Sequence, residues 1–243
     1  MPNAIAKGAT FTYLGHSTFL IRTSEGKTIL IDPWLKENPS CPESHKNLEK
    51  LGQVDIMLIT HGHFDHMADA VAVGLSYQPQ TFSNYEICSW LATKGLKNVQ
   101  HMNKGGGMNV PGAEKIHVTL THALHSSSIQ DGNHTVYGGE AGSFVVKLES
   151  GATFFHAGDT CVFGDMKLIG ELYKPEVALV PIGDRFTMSP HEAALACKLL
   201  NVARVVPMHY ATFPLLTGTP AQLKEALSGT KTEVVVLRPG ESA

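Results

Sequence analysis
The chain has 243 residues, 43% hydrophobic and 17% charged, with a formal net charge of −3. That balance builds an ordinary globular core and gives no general attraction for nucleic acid or an anionic membrane. No apolar run is long enough to span a bilayer, and residues 1–7 lack a signal peptide's apolar core. A cytoplasmic protein is therefore expected, with Cys41, Cys88, Cys161 and Cys197 as free, mostly buried thiols and Cys161 a small packing residue near Asp159. No linker-like stretch divides the chain, so residues 1–243 read as one domain.

Residues 10–14, 18–21 and 28–31 are short β-branched runs separated by turn residues such as Glu25-Gly26, and they predict an antiparallel meander. Residues 54–60 form a nearly continuous apolar run, as an interior strand does. His45 falls in a polar stretch, residues 41–50, that reads as a loop. Helices are expected over residues 68–75 and 86–95, the second ended by Gly95. Residues 115–120, 143–148 and 153–155 begin a second group of strands, and residues 177–181 and 204–208 are further buried strands. Between those two, Ser189-Pro190-His191-Glu192 has the cap, the first-turn proline and the capping-box glutamate of a helix running to about residue 200. Residues 233–237 close the chain as a strand. Strands dominate each half, which fits two sheets packed face to face with helices outside.

The densest chemistry is His61-Gly62-His63-Phe64-Asp65-His66, directly after the interior strand. Imidazole and carboxylate suit zinc, iron and manganese. A loop leaving a strand can turn His61 and His63 to one side, while Asp65 and His66, at the start of a helix, face a second point. Further ligands are expected at the ends of other strands: His122 or His125, then Asp159 after a glycine that lets the backbone turn, then His209. Spacing alone leaves His122 and His125 open. His156 reads as a satisfied core histidine, and His101, His117 and His134 as structural or surface residues.

Eight segments carry a resemblance. They are Leu14-Gly15-His16-Ser17, Ile31-Asp32-Pro33-Trp34, the histidine-rich run itself, Asn103-Lys104-Gly105-Gly106, His125-Ser126-Ser127-Ser128, His156-Ala157-Gly158-Asp159-Thr160, residues 181–188 and Met208-His209-Tyr210. In this order they resemble the metallo-β-lactamase-fold hydrolases, more narrowly the branch related to ascorbate-phosphate lactonase and N-acyl-phosphatidylethanolamine phospholipase D. The resemblance implies an α/β fold, the four-layer αββα sandwich, and two divalent transition-metal ions, zinc first, with manganese, iron or nickel as alternatives. It assigns His61, His63 and His125 to one ion, Asp65, His66 and His209 to the other, and Asp159 to both. His122 is then left beside the site, and Asp32 is the buried acid that orients ligands by hydrogen bonds.

The chemistry implied is hydrolysis of a small anionic ester, lactone or phosphodiester by a hydroxide shared between the ions. Asp65 would position that hydroxide. His191 or His16 would supply the leaving group's proton, and Lys104 and Arg185 would contact an anionic substrate. The competing turn reading of residues 105–107 leaves no phosphate cradle there. Two other functions stand beside this one. A flavodiiron-like oxidoreductase would carry Glu where this chain has His63 and would need a flavin domain. A non-catalytic metal-binding sensor would usually have lost ligands, yet all seven are present. The expected partner is a small molecule, with no nucleic acid or membrane partner, and the resemblance allows a homo-oligomer.

Overall fold
The computed structural model describes residues 5–243, so residues 1–4 of the N-terminal segment lie outside it. The first half runs β1 (Ala9–Tyr13), β2 (Phe19–Thr23), β3 (Thr28–Ile31), α1 (Glu43–Lys46), β4 (Ile56–Leu58), α2 (Phe64–Met67), α3 (Ala70–Tyr77), β5 (Gln80–Asn84), α4 (Tyr85–Thr93) and β6 (Val99–Met102). The second half runs β7 (Gly107–Val110), β8 (Ala113–His122), β9 (Ser128–Asp131), β10 (His134–Tyr137), β11 (Gly142–Lys147), β12 (Thr153–His156), α5 (Met166–Tyr173), β13 (Val177–Pro181), α6 (Pro190–Leu200), β14 (Arg204–Met208), α7 (Pro220–Ala226) and β15 (Glu233–Val234).

The two halves repeat one topology without repeating a sequence. In the first sheet, β1-β2-β3 pair antiparallel and β3-β4-β5-β6 parallel. In the second, β7-β8-β11-β12 pair antiparallel and β12-β13-β14-β15 parallel. Strand alternation sorts the side chains between layers. Phe19, Ile21, Ile29, Ile31, Ile56 and Leu58 face the second sheet in a core shared with Phe144, Val146 and Phe154. Their neighbours Leu20, Leu30 and Met57 face Ala70, Val73, Ile87 and Leu91 of α3 and α4. Helices α5, α6 and α7 pack on one another against the second sheet. The order is helix, sheet, sheet, helix, the αββα sandwich.

Several boundaries differ from the sequence reading, each for a local reason. The interior strand is shorter than residues 54–60 because the Thr60 N–H is taken by Asp32 Oδ1 at 2.8 Å. The helix expected at residues 68–75 begins only at Ala70, as α3, with α2 a separate turn before it, since the Asp69 N–H leaves the helical ladder for the Pro33 carbonyl. Its carboxylate then holds the Leu35 and Lys36 amides. His45 lies in the short helix α1 rather than a loop, and β15 covers only two of the residues read as the closing strand. Cys161 is exposed rather than packed, while the other three thiols are buried. Strands β5, β6, β7, β9 and β10 and helices α5 and α7 were not legible from periodicity. Yet α7 opens with Thr219-Pro220-Ala221-Gln222, the same capping box that gave away α6.

Phe154 is fully buried and meets Phe11 edge-to-face at 5.2 Å across the two sheets. Phe154→Ala should cost about 3–5 kcal/mol of folding stability, read from the denaturant midpoint. A loss below about 1 kcal/mol would mean that the sheets do not depend on this contact.

Candidate metal centre
All seven candidate ligands stand at the carboxyl ends of strands or just beyond, on one rim of the sandwich. His61, His63, Asp65 and His66 follow β4, His125 follows β8, Asp159 follows β12 and His209 follows β14. The local backbone is built for this convergence. Gly158 has φ +59°, and a Cβ there would sit 2.7 Å from Thr60 Cβ, so the turn that delivers Asp159 requires glycine. His16, Asp32 and His209 hold left-handed backbones at φ 58°, 47° and 55°. Non-glycine residues pay roughly 1–2 kcal/mol each for that conformation. The strain is held by hydrogen bonds, among them His209 N–H to the His16 carbonyl at 2.7 Å, which ties the two halves together at the site.

Side-chain hydrogen bonds aim the rings. Asp32 is fully buried and accepts from the Thr60 hydroxyl at 2.7 Å and from His66 Nδ1 at 2.8 Å. Thr60 has one proton, and Asp32 takes it. The 3.1 Å contact between Thr60 Oγ1 and His61 Nδ1 therefore makes His61 Nδ1 the donor. His61 is thus fixed with its Nε2 lone pair toward the centre, and His66 is fixed with its Nε2 facing the same point. His63 turns Nδ1 inward, 3.0 Å from His61 Nε2, while its Nε2 meets Ser126 Oγ at 3.3 Å. His16 is buried behind Asp65 and donates from Nε2 to Asp65 Oδ2 at 2.9 Å, because a carboxylate oxygen accepts. Its Nδ1 then accepts from Thr212 at 3.0 Å.

The ligand atoms form overlapping groups, each with its atoms within 4.8 Å of one another: His61, His63 and His125; His61, His66 and Asp159; and His16, Asp65, His66 and His209. Asp159 lies between them, 3.6 Å from His125 Nε2, 3.3 Å from His66 Nε2 and 3.0 Å from His209 Nε2. These contacts are close but not aligned for hydrogen bonding. His66 Nε2, Asp159 Oδ1 and His209 Nε2 are buried without a partner. An orphaned buried polar atom costs roughly 1–3 kcal/mol, and several aimed at one point fit a cation. The donor set of imidazole and carboxylate fits divalent transition metals.

Protonation follows burial and charge. Burial pushes His61, His63 and His125 below the usual imidazole range, so all three are neutral and ready to ligate near pH 7. Burial also pushes His66 down, but the flanking carboxylates of Asp159 and Asp32 outweigh it and hold the ring well above the ordinary value. For Asp159, burial acts upward, and the imidazoles of His209 and His66 outweigh it and keep the carboxyl well below the usual range. Asp65 behaves alike, with burial opposed by the His16 hydrogen bond and the His66 charge. His16 itself is pushed down to about 4, chiefly by burial and then by His209.

The cavity above this cluster has a volume of about 450 Å³ and is lined by His63, Asp65, His125, Ser126, Asp159 and His209 together with Phe64, Phe186 and Phe213. The other site candidates lie elsewhere. His191 is exposed in the first turn of α6 and does not line the cavity. His122 meets the Phe163 ring edge-on at 5.3 Å. Lys104 is paired with Glu140 at 2.7 Å, from within a turn closed by Gly106 N–H on the Asn103 carbonyl. Arg185 stands over the Phe186 ring at 5.5 Å, outside the lining. Sequence reasoning missed Thr60, Ser126, Thr212 and the three phenylalanines. Thr60 and Ser126 adjoin candidate ligands in sequence and Phe186 lies in the segment 181–188, so these were within reach, whereas Phe213 carries no sequence signal.

Asp32→Asn puts a donor where His66 or Thr60 needs an acceptor. It should weaken metal affinity about 10–100-fold in a competition titration with a chromophoric chelator, and unchanged affinity would remove Asp32 from ligand orientation. A second expectation concerns pH. The Asp159 and Asp32 carboxylates hold a proton on His66 that must leave before Nε2 can ligate, so affinity of the Asp65–His66–His209 group rises with pH. The His61–His63–His125 group is already neutral and should change little. Calorimetric zinc titrations at about pH 6, 7 and 8 read both steps, and equal slopes would contradict the assignment.

Comparison with known proteins agrees with this architecture. Residues 10–209 match the β-lactamase superfamily domain. A UPF0173 metal-dependent hydrolase of Rubrobacter xylanophilus is 51% identical over 238 residues, 96% of each chain. One from Koribacter versatilis is 48% identical over 236 residues, 97% of this chain and 98% of its own. Among solved structures, Igni18, a metallo hydrolase from the hyperthermophilic archaeon Ignicoccus hospitalis, superimposes with a TM-score of 0.86 at 36% identity over 97% of both chains. With its fold, its matched domain and relatives that span almost its full length, the chain belongs to the UPF0173 metal-dependent hydrolase family of the β-lactamase superfamily.

Proposed function
We propose that this protein is itself a metal-dependent hydrolase of a small ester, lactone or phosphodiester, with two divalent ions as its cofactor. His61, His63 and His125 would hold one ion and Asp65, His66 and His209 the other, with Asp159 beside both groups. The observation that carries this reading is the convergence of unpartnered, buried ligand atoms from His66, Asp159 and His209 beside the His61–His63–His125 group, at the floor of an open cavity. The names of the relatives, which are metal-dependent hydrolases, support it.

Such ions, when bound, supply an activated water and polarise the carbonyl or phosphoryl oxygen under attack. The chain's own residues do the rest. The Asp32–Thr60–His61 and Asp32–His66 hydrogen bonds fix ring orientation before anything binds. Asp65, held far below the ordinary carboxylate range, keeps its charge and is a poor proton acceptor, so its work is to hold and orient. His16 positions Asp65 rather than reaching substrate, since its Nε2 proton is committed to Asp65 and it does not line the cavity. The exposed thiol of Cys161 is not needed as a nucleophile. Zinc suits these ligands, as do manganese, iron and nickel.

Extraction with a chelator should abolish hydrolysis, and added zinc or manganese should restore it, in a screen of esters, thioesters, lactones and phosphodiesters. Asp159→Ala should lose at least one equivalent of metal by elemental analysis and at least about a hundredfold in turnover. A variant with full metal content and full turnover would refute the role of Asp159, and a fully metallated protein inert on every substrate class would refute the hydrolase reading.

A further inference from the structure
The walls of the cavity differ from its floor. The floor is imidazole and carboxylate, and the walls are the rings of Phe64, Phe186 and Phe213. No lysine or arginine lines it. Lys104 is held by Glu140, and the Arg185 guanidinium is applied to the Phe186 ring. Phe64 and Phe186 are 57% and 48% exposed, an unusual placement for side chains whose burial is worth several times a methylene group.

These rings are held in place. Trp34, 2% exposed, stacks on Phe213 at 5.7 Å and 27° and meets Phe64 edge-on at 5.7 Å and 83°. Its own backbone N–H is fixed on the Asp32 carbonyl at 2.9 Å, so two walls and the ligand scaffold share one anchor. Phe186 sits in a tight turn in which Asp184 and Arg185 both have left-handed backbones, φ 65° and 39°. Asp184 N–H bonds the Met188 carbonyl, and Thr187 N–H bonds that of Asp184, each at 3.0 Å. A strained turn and a stacked tryptophan order these rings before any ligand arrives, which lowers the entropy cost of binding.

We infer that the site is selective for an uncharged ester or lactone bearing an apolar acyl or aryl substituent, which lies against Phe64, Phe186 and Phe213 while the scissile carbonyl faces the ligand cluster. The volume, about 450 Å³, is within the roughly 300–1,000 Å³ of small-molecule sites and excludes a large substrate from full enclosure. A phosphorylated or polyanionic substrate would leave its second charge against phenylalanine, where nothing on the walls compensates its lost hydration. This departs from the anionic substrate expected from sequence. It rests on the metal reading for where the carbonyl points, and on the walls alone for what flanks it.

The test is a ligand series on zinc-loaded wild-type protein, with acetate, butanoate, hexanoate and inorganic phosphate as probes in calorimetric titration. Each added methylene should tighten binding about two- to fourfold. Phe213→Ala and Phe186→Ala should each flatten that gradient. A flat series in the wild type overturns the inference. So does phosphate binding more tightly than hexanoate with the advantage lost in Arg185→Ala. A steep gradient in a zinc-loaded protein that hydrolyses no ester, thioester, lactone or phosphodiester upholds the apolar walls and refutes the hydrolase reading, so the two failures are distinguishable.

Discussion

One buried carboxylate organises the site. Asp32, at the end of β3, accepts from the backbone and hydroxyl of Thr60 and from His66 Nδ1, and its carbonyl takes the Trp34 N–H. Those bonds end the interior strand, set the tautomers of two ligands and anchor the tryptophan beneath the cavity wall. A fully buried acid is costly unless such partners surround it. Here the partners are parts of the candidate metal centre, so the need to satisfy one carboxylate determines the geometry of the rest.

The second constraint is convergence. Two sheets of like topology meet with their strand ends on one rim, and ligands from both arrive there. The cost is visible in the backbone, where His16, Asp32 and His209 are left-handed, and in the polar atoms, where His66 Nε2, Asp159 Oδ1 and His209 Nε2 are buried without a hydrogen-bond partner. Both are sustained by the large apolar core between the sheets. The same crowding sets His66 apart from His61, His63 and His125: it stands between the buried carboxylates of Asp32 and Asp159, which hold its proton.

The cavity joins two kinds of chemistry. Its floor is built to hold charge, and its walls repel it. Candidate anion contacts chosen for their charge, Lys104 and Arg185, are occupied by Glu140 and by the Phe186 ring. The candidate proton donors are likewise elsewhere, His16 behind Asp65 and His191 exposed on α6. A charged residue in a suggestive segment carries no information about its partner, because the partner comes from a distant stretch of chain.

The sequence alone determined the layered architecture, the boundaries of β3, β13, β14 and α6, and most candidate ligands, because each rests on local order: short β-branched or continuous apolar runs, a capping box, or histidines massed after a buried strand. Asp32 and the choice of His125 came from the family resemblance. Short strands such as β5, β6 and β7 carry too few residues for a pattern and exist because neighbouring strands pair with them. Nor could spacing choose between His122 and His125, one turned to Phe163 and the other to Asp159. Which lone pair points inward, which histidine is protonated and which rings wall the cavity were decided only by the tertiary structure, since hydrogen-bond direction, burial and stacking are properties of residues brought together from far apart in the chain.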